Sequence, residues 1–144
     1  MKLLKSALGA LALTLAAGLG TAAQAANAPE RVTVRGELID TWCYTSEIMF
    51  AQGTAHHKCA IWCAVGGIPV SILTEEGDIY VIIRMEGDDT SVANPRLVTI
   101  QTHEVTVEGD HYLRDGVSYL LVDQVADEHG IININHEDYG IQPF

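Results

Sequence analysis

Val32-Thr33-Val34-Arg35-Gly36-Glu37-Leu38 is the stretch on which the fold turns. Apolar or small residues take every second position and polar residues fill the gaps, which is the period of a strand with one face buried. Beyond it, Asp40 to Gly67 shows no such alternation, and that segment holds all three cysteines, both tryptophans and the pair His56-His57. Within it, Cys59 to Val65 has no breaker and runs into Gly66-Gly67, so one or two helical turns ended by a glycine C-cap are expected there.

After Pro69 the strand pattern returns. Val70 to Leu73 and Ile79 to Arg84 flank Thr74-Glu75-Glu76-Gly77-Asp78, a hairpin with glycine at the bend. Ser91 to Ile100 reads as an irregular link with a helical turn around Asn94-Pro95. His103 to Glu108 and Val117 to Val122 read as two more strands, with bends at Gly109-Asp110 and Asp115-Gly116, and Ile131, Ile132 and Ile134 allow a further edge strand in the tail. Five short strands, with a helix-sized link between the third and fourth, suit a small OB-like barrel better than a sandwich. The expected fold is therefore mainly β, a barrel of about five strands with a Cys/His-containing helical insertion between strands one and two.

The N-terminus has a different character. Met1-Lys2-Leu3-Leu4-Lys5 is basic, Ala7 to Leu19 is apolar and uncharged, and Ala23 and Ala25 supply the small side chains of a signal-peptidase site. The apolar run is shorter than the roughly 20 residues a transmembrane helix needs. Residues 1–25 are thus expected to be a cleaved secretory signal. Residues 26–144 would then form one domain, with its core at about 31–125 and a tail at 126–144, exported to the periplasm with no membrane insertion after cleavage.

The 144 residues carry 8 Lys+Arg against 19 Asp+Glu, a net charge of -11, and loss of the leader removes two of the lysines. A surface this acidic repels phosphate backbones and anionic lipids, so nucleic acid is excluded as a partner and a protein with a basic face is favoured. No G-x-S-x-G, Walker loop or dinucleotide-binding glycine fingerprint occurs.

Chemistry concentrates at the cysteines. Cys59 and Cys63 stand at i and i+4, so on a helix their side chains project from one face about 6 Å apart, a chelating geometry. Cys43, at the end of the first strand, can close the site from the barrel side, and His56 or His57 can add an imidazole. Three thiolates and one imidazole suit a soft or borderline metal, copper or zinc. Two other readings stay open. A disulfide from Cys43 to Cys59 or Cys63 would staple the insertion and leave an odd thiol, giving a structural module without metal; a cysteine with His57 as its base would make a thiol enzyme. Trp42 and Trp62 read as core packing of the insertion, where indoles would also shield a thiolate site from water. Met49 and Met85 offer thioethers, though single methionines in apolar surroundings usually fill gaps. His103, His111, His129 and His136 are scattered and read as solvent-facing.

Gly36-Glu37-Leu38-Ile39-Asp40-Thr41-Trp42-Cys43, His56-His57-Lys58-Cys59-Ala60-Ile61-Trp62-Cys63 and Gly67-Ile68-Pro69-Val70 together resemble a group of uncharacterised exported bacterial OB-like domains. These share G-x-[LIV]-x-D-x-x-C, a spacer, H-x-x-C-x-x-x-C and a glycine before the next strand, and Val105-Thr106-Val107-Glu108-Gly109 is similar to their later V-x-V-x-G strand. The resemblance spans roughly Val32 to Val125, implies the barrel, and raises His56 level with His57; it implies no activity. The C-x-x-x-C pair is also similar to copper sites, in the copper chaperones of cytochrome oxidase assembly and the binuclear copper domain of that oxidase's second subunit, a likeness of ligand spacing alone. The functional expectation is a metal carrier, or a small accessory subunit of a periplasmic redox system, binding copper ahead of zinc through Cys43, Cys59, Cys63 and His56 or His57.

Overall fold

The computed structural model describes residues 28–142. The expected leader lies outside them. Within them the elements run β1 (Glu30–Asp40), α1 (Thr41–Ser46), α2 (Gly53–Val65), β2 (Val70–Leu73), β3 (Ile79–Met85), α3 (Pro95–Thr99), β4 (Glu104–Arg114) and β5 (Val117–Gly130). The strands close into a barrel in the order β1-β2-β3-β5-β4, with β4 returning to β1. All neighbours are antiparallel except β3 and β5, which run parallel. This is the five-stranded barrel with a helical insertion between strands one and two that the pattern predicts.

β1 bridges both of its neighbours. Its first half pairs with β4, from Glu30 opposite His111 to Glu37 opposite Glu104, and its second half pairs with β2, from Glu37 opposite Leu73 to Asp40 opposite Val70. The strand changes partner at Gly36–Glu37. A β-carbon on Gly36 would overlap the Leu73 carbonyl and crowd Ile72, so only glycine allows the close approach at this corner. Val34 and Leu38 alternate inward and meet Val70, Ile72, Ile82, Met85, Val105, Val107, Leu120 and Val122 in the core, which α3 plugs with Leu97. Met85 belongs to this core, as a gap-filler would.

α3 matches the expected turn. The Asn94 side chain accepts from the Arg96 and Leu97 amides, and Pro95 fills the first helical position, where its missing N–H costs nothing. β4 and β5 join through Asp115-Gly116, both at positive φ, as a two-residue hairpin turn requires.

Four elements differ from the sequence pattern. β4 does not bend at Gly109-Asp110 but runs through both, paired on each side, to Arg114. α1 is unforeseen, and it places Cys43 in a helix just after the first strand. β5 extends to Gly130, well past Val122, pairing with β4 through several register shifts, so residues 126–130 belong to the barrel and not to a tail. Ile131, Ile132 and Ile134 form no strand. That segment instead runs across the start of α2, where its backbone and asparagines are used as caps.

Candidate metal centre

The site is assembled on the segment between β1 and β2. Asp40 ends the strand in an extended conformation and caps α1, its Oδ1 accepting from the Trp42 amide at 2.9 Å and the Cys43 amide at 3.1 Å. This cap gives D-x-x-C a local cause: it fixes Cys43 one turn into α1 with the thiol directed inward and only 1% exposed.

α2 has 13 residues, a length that is marginal for an isolated helix, so its ends and its buried face must hold it. Its own N-cap residue, Gln52, makes no side-chain cap. The orphan amides are met from elsewhere: Gly53 N–H donates to Glu37 Oε1 (2.6 Å), Thr54 N–H to the Asn133 carbonyl (3.0 Å) and Ala55 N–H to Asn135 Oδ1 (2.9 Å). Gly53 sits at φ +66°, pressed against Asn133 and Asn135, where a β-carbon has no room. At the other end Ile68 N–H donates to the Cys63 carbonyl and Gly67 N–H to that of Ala64, a Schellman closure with Gly67 at φ +88°. The predicted glycine stop is there, but the helix begins six residues earlier than expected.

Gly53, His56, Ala60 and Ala64 form the buried face of α2. Cys59 and Cys63 lie at its border, half-buried, and their sulfurs meet that of Cys43, with all three within 4.8 Å of one another. The three cysteines are free thiols, with no disulfide among them. A second group shares one member: the donor atoms of Asp40, Cys43 and His56 also lie within 4.8 Å of one another, and all three residues are buried. Both groups could hold a metal ion.

The electrostatics show what such a site does while it holds only protons. Burial, reinforced by the neighbouring Asp40 carboxylate, pushes the Cys43 thiol up to about 12 and raises Cys63 as well. Burial also works against charge on Asp40, yet the facing His56, Cys63 and Cys43 hold its carboxyl well below the usual carboxylate range. The result is a permanent anion beside thiols that keep their protons until a cation replaces them.

The two candidate histidines part company. His56 is fully buried, its Nε2 3.8 Å from Asp40 Oδ2, which is beyond hydrogen-bonding reach, and its ring stands edge-on to Phe50. His57, next along the helix, turns toward α3: its Nδ1 lies 2.9 Å from the Gln101 carbonyl and 3.0 Å from Thr102 Oγ1, and its ring stacks on His103. It joins neither ligand group. Burial lowers the His57 pKa, and the nearby His103 lowers it further against the opposing Gln101 contact. Of the remaining histidines, His136 bonds Thr54 and so belongs to the clasp on α2, while His103 pairs with Glu128.

Asp40 was missing from the expected ligand set, although its place in D-x-x-C signals it. The expectation for the tryptophans is overturned: Trp42 is 52% exposed and Trp62 74% exposed. The reason is helical phase, since residues 56, 60 and 64 face the barrel and position 62 falls on the far side. Ile48 and Met49 are exposed as well. Met49 lies in the connection between α1 and α2, and its sulfur is 3.8 Å from Cys59 Sγ. Compared with known protein families, curated proteins and solved structures, the chain matches none.

Proposed function

We propose that this chain binds a soft metal ion, copper ahead of zinc, through Cys43, Cys59 and Cys63, with His56 as the imidazole behind them. It carries that metal, or serves as a small accessory subunit of a periplasmic redox system. The observation that supports this most directly is the convergence of three free thiols from two helices within 4.8 Å. Thiolates are soft ligands, and the Met49 thioether beside Cys59 adds a donor that zinc seldom takes and Cu(I) favours. Two sulfurs border the surface, so a metal can enter and leave without the barrel opening. That arrangement suits transfer to a partner, and the net charge of -11 favours a partner with a basic face.

The test is anaerobic titration of the reduced chain with Cu(I) and Zn(II) in competition with chelators of known affinity. Tight binding of at least one Cu(I), lost in Cys59→Ser and Cys63→Ser but kept in Arg114→Ala, supports the reading. Equal metal retention in all three variants contradicts it.

A further inference from the structure

One cation on the three sulfurs would leave the floor of the pocket unexplained. Asp40 Oδ2 and both ring nitrogens of His56 are buried and have no hydrogen-bond partner. Their side chains are 1% and 0% exposed. Leaving buried polar atoms unpaired is costly, and a carboxylate oxygen of Asp40, a ring nitrogen of His56 and the Cys43 sulfur, all within 4.8 Å of one another, point to something that binds between them. The Asp40 carboxylate is already committed on one side only: Oδ1 caps α1, and Oδ2 is the oxygen without a partner.

Resting on the reading of the sulfur pocket as a metal site, we propose that Asp40, His56 and Cys43 form a second cation site behind it, with the Cys43 thiolate bridging the two. Cys43 is the one residue common to both ligand groups, and a thiolate sulfur has lone pairs enough for two metals. Charge leads to the same place. Three thiolates and a carboxylate bring four negative charges into a largely buried space, so one divalent ion leaves two of them uncompensated and one Cu(I) leaves three. A second divalent ion brings the sum to zero, and a second Cu(I) lowers the excess from three charges to two. Unpaired charge is expensive to bury, which favours the doubly loaded state. Asp40 and His56 give this inner site a harder oxygen and nitrogen character than the outer three-sulfur site, so the two differ in chemistry as well as in depth. On loading, each ligating thiol gives its proton to solvent and no electron is transferred.

Cd(II) is a suitable probe, because it is soft, redox-silent and visible by 113Cd NMR. The reduced chain is loaded anaerobically with Cd(II), washed with a weak chelator, and counted by native mass spectrometry. Two ions per chain and two 113Cd resonances are expected. Asp40→Asn, which keeps the Oδ1 cap and the α1 fold, should fall to one ion and one resonance, as should His56→Gln; circular dichroism checks that both remain folded. A wild-type chain that saturates at one ion, lost in Cys59→Ser, overturns the second site and leaves the sulfur site standing. Two ions in wild type and in both variants also overturn it, since the extra ion is then adventitious on the acidic surface. No retained ion at all overturns both readings.

Discussion

Acidity should act on this protein as a competitor for its metal. Cys43 and Cys63 are thiols whose pKa values lie well above neutrality, Cys43 at about 12, because burial and the Asp40 carboxylate oppose a second negative charge. A metal that binds their sulfurs must displace both protons. Below those pKa values each displaced proton changes the dissociation constant about tenfold per pH unit, so these two protons alone give at least about 100-fold per unit. Between pH 8 and pH 6 the affinity should therefore fall by at least about 10⁴, or roughly 5.5 kcal/mol. The sign follows from competition: the metal-free thiols hold protons more firmly than ordinary cysteine, so binding weakens as pH drops. Asp40, held low, stays ionised through this range and adds nothing to the slope. Chelator-competition titrations at four pH values, corrected for the chelator's own protonation, give the number of protons released as the slope of log Kd against pH. A slope below one proton per metal would refute the placement of Cys43 and Cys63 as ligands.

Other outcomes are as specific. Gly36→Ala should destabilise the barrel by about 3 kcal/mol, because the added carbon meets the Leu73 carbonyl at the corner of β1; thermal unfolding should show a melting temperature roughly 10 °C lower, and an unchanged value would exclude the tight β1–β2 approach. Asn135→Ala removes the acceptor for the Ala55 amide and the donor to the Gln52 carbonyl, costing about 1 kcal/mol. It should also speed amide hydrogen exchange at the start of α2 while leaving β4 and β5 protected. Met49→Leu keeps the volume but not the thioether: Cu(I) affinity should drop several-fold with Zn(II) affinity unchanged, and an equal loss for both metals would show that Met49 acts through packing. The metal-free fold should lose stability as pH rises from about 8.5, where cysteine in the unfolded chain ionises, toward the raised folded value of Cys43. Urea unfolding at pH 7, 9 and 10 measures this, and a Cys43→Ser chain should lose part of the dependence.

Much of the barrel was legible because its signals are local. The alternation of Val32 to Leu38, the Thr74–Asp78 bend and the Asn94-Pro95 helix start each act within a few residues of chain. The two-residue turn at Asp115-Gly116 does the same. The helix stop at Gly66-Gly67 is equally local, since the Schellman bonds span six residues. The start of α2 was not legible, because its amides are capped by Glu37, Asn133 and Asn135, far away in sequence. β5 beyond Val122 was hidden by its polar composition, Asp123 to Gly130 being mostly exposed on both sides of the strand. At the site, i and i+4 spacing brought Cys59 and Cys63 together on the page, and Cys43 followed from its place after β1. The choice between His56 and His57 needs the phase of a helix whose start could not be read, and the same phase decides that Trp62 faces water.

The clasp on α2 also sets an order of events. Asn135 lies 80 residues beyond Ala55, and His136 lies 82 beyond Thr54, so a stretch synthesised long after α2 is what secures the helix bearing two of the sulfurs. Until that stretch arrives the barrel's first hairpin can pair, but Cys59 and Cys63 hang from a helix with an open end. The thiol pocket becomes rigid only once Asn133 to His136 are in place, and a chain lacking them would grip metal loosely.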